Sequence, residues 1–298
     1  MTSIIQNLKK NLLPISLILL AGINYGLIFP LNSMAIQAHA SYFGHAFWQT
    51  IISGLLLLLI VVCIREPFRL TFKYIRVYFL VGIFAFSIPM SVLTLVSSQL
   101  PVGMTSLVMG LSPTLTYILG ILVKIERLSL LGISGIMLGF IGLIIFLLPE
   151  LFLPSSEILI WFIIALITPF CLAVANISAS FYNPTDSSPI SIGAGFLLAG
   201  GISIFPLTFY FDQFYWPTNT NLIIPTAGAS IVNIIHIVLF ATIVKNYGAV
   251  FFSQLNYIVI IFAMLWAYII LSETPSTAII LPLILMTLGI VLSSFRKK

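Results

Sequence analysis

The residues with chemistry to offer stand inside strongly apolar sequence. Ser230, Asn233 and His236 recur every third residue in a run otherwise rich in Ile and Val, so they share one helix face. Gln254 and Tyr257 repeat that spacing, with Ser253 and Asn256 beside them, and Asn24 and Tyr25 lie near the middle of the first apolar run. Gln49 sits toward one end of the second run, and Thr105, Thr114, Thr116 and Tyr117 punctuate the fourth. These groups supply hydrogen-bond donors and acceptors and aromatic faces. His236 is the one titratable ring at depth, with an unperturbed pKa of about 6.5. A cavity lined by Asn24, Tyr25, Gln49, Thr105, Asn233, His236, Gln254, Asn256 and Tyr257 would suit a neutral or zwitterionic, partly planar solute. Amino acids, nucleosides and vitamins all qualify. The plainer alternative for the amides is hydrogen bonding between helices. Serines and threonines can bond to their own backbone carbonyls, Tyr25 and Tyr257 can be packing residues, and His236 can be a neutral ring satisfied by a neighbour.

The sequence offers little for catalysis. An enzyme within a membrane needs a nucleophile with a base, paired acids or metal ligands. His39 and His45 fall in or near an outer loop, and no carboxylate accompanies His236. The chain therefore reads as a non-enzyme, with no metal site and no cofactor. No Asp, Glu, Lys or Arg lies well inside an apolar run, which argues against a carboxylate relay for protons or sodium. Any proton coupling would have to pass through His236.

The elements that must position these groups are membrane spans. Of 298 residues, 60% are hydrophobic and only 6% charged, with a mean hydropathy of +1.21. A soluble domain needs far more charge on its surface. Apolar windows long enough to cross hydrocarbon fall near 13–33, 44–63, 77–97, 102–123, 129–148, 157–178, 189–211, 222–243, 249–271 and 277–295. The expected fold class is thus an all-α integral membrane protein of about ten transmembrane helices. Pro101 suits the first turn of a helix and separates the third and fourth spans. Lys9 and Lys10 followed by an apolar stretch imitate a signal peptide, but the stretch is too long for one. Cys63 and Cys171 read as buried thiols, with neither a disulfide framework nor a metal site suggested.

Charge tests the count. With a cytoplasmic N-terminus, Lys9, Lys10, Arg65, Arg69, Lys73, Arg76, Lys124, Arg127, Lys245, Arg296, Lys297 and Lys298 all fall inside, while Glu150, Glu157, Asp212 and Glu273 fall outside. That satisfies the positive-inside rule at every loop. It predicts a multi-pass protein of a bacterial-type inner membrane with both termini cytoplasmic. Trp48, Trp161, Trp216 and Trp266 occupy the outer half or outer loops, as interfacial aromatics do. The net charge of +5 is scattered between apolar runs, so a nucleic-acid partner is not expected; the bilayer and a small molecule are.

The two halves resemble each other at a shift of 147 residues, which superposes Glu126 on Glu273, Ser129 on Ser276 and Gly142 on Gly289. Each half has five spans, an odd number, so the second copy must run with opposite orientation. The expected units are 1–150 and 151–298, two five-helix inverted repeats in one membrane domain. Such repeats are a device of secondary carriers, because two pseudo-symmetric halves can exchange outward-open and inward-open shapes.

Further motifs carry a family resemblance. Tyr25-Gly26-x-x-Phe29 in the first span, Gly110-Leu111-Ser112-Pro113 in the fourth, Glu126-Arg127-Leu128-Ser129 before the glycine-rich fifth, and Ser272-Glu273 with Gly289 in the tenth occur in order. In this the chain resembles the drug/metabolite transporter superfamily, of the EamA type, over nearly its whole length. The resemblance implies a ten-helix transporter whose spans one to four and six to nine surround a central cavity, with spans five and ten as buttresses. Two departures stand out. Gln49 follows Trp48 where the family commonly has an arginine, and Asn32 stands near a frequent lysine, which argues against holding a carboxylate or phosphate there. The combined expectation is a carrier of a small neutral or zwitterionic metabolite, working by alternating access and, by resemblance, as an exporter. The alternative is a non-transporting sensor or assembly protein on a degenerate carrier fold. In span five, Gly135 and Gly139 form a small-xxx-small pair that serves either packing within the chain or a homodimer seam. Pro30, Pro89, Pro113, Pro169 and Pro206 lie within spans as kinks or hinges.

Overall fold

The computed structural model describes residues 2–127, 129–151, 156–182 and 187–274, together with 281, 284, 285, 288 and 289. All elements among the described residues are helical. Eight stretches are long and apolar enough to cross a membrane: Leu13–Gln37, Tyr42–Cys63, Phe72–Val96, Val102–Leu122, Ile158–Phe181, Pro189–Tyr210, Thr220–Tyr247 and Ala249–Leu271. They are the expected spans one to four and six to nine. An apolar helix, Leu130–Leu151, occupies the fifth position. Most of the tenth span lies outside the described residues, as do Leu128, Ser276, Arg296, Lys297 and Lys298. The all-α membrane class holds, while eight spans rather than ten are counted among the described residues.

Several helices outrun their apolar windows. Span one continues to Gln37, span three starts at Phe72, and span eight ends at Tyr247. The extra turns of spans three and eight carry Lys73, Arg76 and Lys245, whose long side chains can keep their charges in water while their stems cover apolar surface. An apolar window measures hydrocarbon depth, not helix length.

Four in-span prolines mark where spans change geometry, because proline lacks the N–H that the carbonyl four residues back would accept. Span one turns at Leu27, ahead of Pro30. Span three passes through a π-helical segment, Ile83–Ser87, ahead of Pro89. Span four tightens to a 3-10 turn, Val108–Leu111, ahead of Pro113, and span six breaks at Leu166, ahead of Pro169. Pro206 sits within a continuous helix. Span nine breaks at Gln254 without proline. There the Ser253 hydroxyl donates to the Val250 carbonyl (2.9 Å) and the Asn256 amide to the Ser253 carbonyl (3.1 Å), so side chains bond to carbonyls at the interruption.

Packing orders the spans into a closed ring: one, eight, two, seven, three, six, four, nine, and back to one. Across the ring, the Ile28–Gln37 half of span one touches spans three and four, and span six touches eight and nine. Span five packs on four. Exchanging one with six, two with seven, three with eight and four with nine maps the ring and these cross-ring contacts onto themselves. Helix bounds follow the same exchange. Span seven repeats both bounds of span two 147 residues on (189 − 42 and 210 − 63), and span nine repeats the start of span four (249 − 102). Arg65 and Asp212, related by that shift (212 − 65), both adopt positive φ.

Glycines bring the backbones together. A Cβ on Gly54 of span two would lie 2.8 Å from the Leu198 nitrogen of span seven, and one on Gly26 2.9 Å from the Ala263 nitrogen of span nine. In span five, Gly135 and Gly139 face Gly289 of the same chain, so this small-residue pair is used in packing within the chain.

Candidate functional site

Along the seam of spans one, two and eight the polar residues form one buried network. Asn32 Oδ1 accepts from Gln49 Nε2 (3.1 Å) and lies 3.2 Å from His45 Nε2. An amide oxygen can only accept, so His45 carries its proton on Nε2 and Nδ1 accepts from the Thr226 hydroxyl, 3.3 Å away. Gln49 Oε1 accepts from Asn233 Nδ2 (3.4 Å), Ser230 donates to the Gln49 carbonyl (3.2 Å), and Ser53 donates to the Ser230 carbonyl (3.0 Å). Asn32, His45, Gln49, Ser53 and Asn233 are fully buried.

The network continues toward the middle of the bundle. Asn24 Nδ2 donates to the Val232 carbonyl (2.9 Å). The Tyr25 ring stacks on the His236 imidazole with centroids 3.9 Å apart and planes 22° apart, within the range of favourable π contacts. Phe252 of span nine lies 5.7 Å from His236, and Phe240 packs 4.9 Å from Phe252. From Thr226 to His236 the stripe covers eleven residues of helix, a rise of about 15 Å. Three buried atoms in it, Asn32 Nδ2, Asn233 Oδ1 and His236 Nδ1, have no hydrogen-bond partner among the described residues. Such atoms are costly in apolar surroundings and are capacity for a polar solute.

The structure thus brings together Asn24, Tyr25, Gln49, Asn233 and His236 of the expected site. It holds Thr105, Asn256 and Tyr257 elsewhere. Thr105 bonds back to the Pro101 carbonyl (3.1 Å), and Asn256 to Ser253. At Gln254 the backbone tightens to i, i+3 bonds, the Gln254 N–H to the Phe251 carbonyl and the Tyr257 N–H to the Gln254 carbonyl (3.3 Å each), a turn in which residues three apart share a face. The Tyr257 hydroxyl lies against Gly139 of span five. Nearby, Asn176 of span six donates to the Thr116 hydroxyl of span four (3.3 Å).

His45, expected in or near an outer loop, lies within span two. Ser41 begins the turn, so His45 enters the first turns of span two and is wholly buried. The signal was present: His45, Gln49 and Ser53 repeat every fourth residue, and Thr226 extends the Ser230 stripe by one turn.

The end of the bundle remote from the basic loops is capped by an aromatic lid. Gln213 Oε1 accepts from the Phe43 N–H (2.9 Å), and the Trp48 indole donates to the Tyr215 carbonyl (2.5 Å). Ser41 donates to the Gln213 carbonyl, and Trp48 packs against Trp216 with centroids 5.0 Å apart. Burial pushes the Tyr215 phenol up to about 12, so the lid holds a neutral hydroxyl. At the same end Glu273 Oε2 accepts from the Val102 N–H (3.2 Å), tying span nine to the start of span four.

At the basic end a cavity of about 790 Å³ opens between spans three and six, lined by Phe72, Lys73, Arg76, Val77 and their neighbours along span three, and by Phe181 and Tyr182. Val77 also borders a small void of about 10 Å³ closed by Phe196 and Phe240. Aromatic packing therefore separates this cavity from the polar network.

Residues 12–148 match the model of the EamA-like transporter family. The resemblance read from the motifs is borne out over that half of the chain. One solved crystal structure, 16% identical, aligns over 93% of this chain and 95% of its own with a TM-score of 0.69; the likeness is one of fold. No curated protein matches the sequence.

Proposed function

We propose, on its EamA-like residues 12–148, that the chain is a membrane transporter of the drug/metabolite superfamily. From that premise we propose that it carries a small neutral or zwitterionic metabolite by alternating access, its two five-helix units, 1–150 and 151–298, being inverted repeats. The observation that carries the reading is the exchange symmetry of the ring: each of its eight neighbour pairings has its counterpart, and helix bounds recur at 147 residues. Spans one and six are broken, as are four and nine. Interrupted helices in corresponding positions of two halves point to a carrier's binding region.

The two seams that exchange with each other differ in this structure. Seam one–eight is zipped by the Asn32 network, the Asn24 bond and the Tyr25–His236 stack. Seam three–six is splayed at the basic end around a cavity of about 790 Å³. One closed and one open member of an equivalent pair is the asymmetry that alternating access requires, and rocking would interchange them. Asn24, Tyr25, Gln49, Asn233 and His236 are the groups that would meet the solute as seam one–eight parts. Amide and imidazole atoms with spare bonding capacity suit a neutral or zwitterionic molecule. His236 is the candidate for any proton step. The distribution of basic residues supports an inner-membrane orientation with the basic end cytoplasmic, and export follows the family resemblance.

Uptake by proteoliposomes of labelled neutral amino acids, nucleosides and flavins tests this reading. Saturable uptake of one class, lost on Asn233→Ala, is expected. No uptake across the panel by folded protein would return the chain to the sensor alternative.

A further inference from the structure

The splayed seam is amphipathic along its length. Its lining residues on span three run from Phe72 to Phe84, twelve residues of rise or about 18 Å, slightly more than one leaflet's share of a hydrocarbon core about 30 Å thick. Both its charges, Lys73 and Arg76, stand in the first turns of span three, and the rest of that wall is Val77, Phe79, Leu80, Ile83 and Phe84. Among the described residues no acidic side chain lines it. Arg76 lies over the Phe72 ring (5.4 Å to the centroid), which holds its charge at the mouth. The helix start adds its own positive end.

A molecule complementary to this groove is anionic at one end and apolar for a leaflet's depth. The face of span three that lines it is turned away from the buried Tyr74, Tyr78 and Val81 that pack inward, and Phe72 and Phe79 are exposed, so the groove is open to the bilayer. We propose that the groove between spans three and six binds an anionic glycerophospholipid of the leaflet at the basic end, its phosphate at Lys73 and Arg76 and an acyl chain along Phe79, Ile83 and Phe84. Lodged there, the lipid wedges seam three–six in its splayed form. The assignment stands on the groove alone and does not depend on what is transported.

Native mass spectrometry of the delipidated protein titrated with phosphatidylglycerol and phosphatidylcholine tests it. Each cation at a charged membrane surface contributes about fivefold to anion affinity. Wild type should prefer phosphatidylglycerol, and K73Q/R76Q should bind it about 25-fold more weakly with unchanged helicity. R65Q/K245Q, which removes two cations outside the groove, should bind like wild type. Ile83→Trp, which fills the apolar wall and keeps both charges, should also weaken binding. Equal binding by K73Q/R76Q and wild type would overturn the assignment. So would undiminished binding by Ile83→Trp, or displacement of the lipid by millimolar glycerol phosphate, which would leave a soluble-anion site instead.

Discussion

Replacing Asn32 by Ala probes whether the polar network is a latch or mere packing. Asn32 Oδ1 serves both Gln49 Nε2 and His45 Nε2, at 3.1 and 3.2 Å, in a site closed to solvent. Without it two buried donors lose their acceptor, at about 1–3 kcal/mol each. If partial relaxation leaves a net cost of about 2–4 kcal/mol, the zipped form of seam one–eight loses roughly 30-fold to 1000-fold against the parted one. The effect can be read at Leu31, which packs on Gly228 across that seam. In a background with Cys63 and Cys171 replaced by Ala, a Leu31→Cys reporter would be labelled with a membrane-impermeant maleimide added from the lid side. Adding Asn32→Ala should raise the labelling rate by at least tenfold, with the fold retained by size-exclusion chromatography. A fall in melting temperature with no change in labelling would refute the latch: the network would then stabilise every conformation alike.

Further expectations follow from individual contacts. Tyr25→Ala removes the ring stacked on His236 and should cut transport by at least tenfold, whereas Tyr25→Phe keeps the face and most of the rate; equal loss in both would place the role in the hydroxyl, as seen in initial uptake rates. Gly26→Leu has backbone of span nine in its way and should cost about 1–3 kcal/mol by overpacking, lowering the melting temperature by several degrees, while Gly103→Ala, with nothing within 4 Å of the new methyl, should be tolerated. Glu273→Ala leaves the Val102 N–H without its acceptor and should destabilise by about 1 kcal/mol, with Glu273→Gln recovering most of it in thermal unfolding. His236→Gln should abolish the stimulation of uptake by an imposed pH gradient; equal stimulation in wild type and variant would remove the proton step.

Hydrocarbon depth writes itself plainly into a sequence, which is why Tyr42–Cys63, Val102–Leu122, Pro189–Tyr210 and Ala249–Leu271 fall within a residue or two of the apolar windows. The interruptions were half visible. Pro30, Pro89, Pro113 and Pro169 each announced one, but Pro206 did not break its helix, and the break at Gln254 arises from hydroxyl and amide side chains that look no different from those of intact spans. Site residues were legible where a stripe carried them, as with Ser230, Asn233 and His236, or where a polar group stood within an apolar run, as with Asn24, Tyr25 and Gln49. Asn32 was read only as standing near a frequent lysine and His45 only as lying in or near an outer loop, because their partners lie on other spans, and helical periodicity is silent about partners. Thr105 and Asn256 went to backbone carbonyls for the same reason: a polar side chain in lipid takes whichever acceptor is nearest.

The exchange that maps the ring onto itself leaves two seams unmoved, two–seven and four–nine, while one–eight and three–six trade places. In the proposed alternating-access cycle, a substitution in an unmoved seam, such as one filling the contact of Gly54 with Leu198, meets the same neighbours whichever way the carrier faces. Its cost falls on both conformers alike and cancels from their ratio, since only a differential interaction shifts an equilibrium. A substitution in seam one–eight or three–six weights one conformer alone. Robustness and directionality are therefore inscribed on different helices, so damage to the former shows as lost protein and damage to the latter as a carrier stalled facing one way.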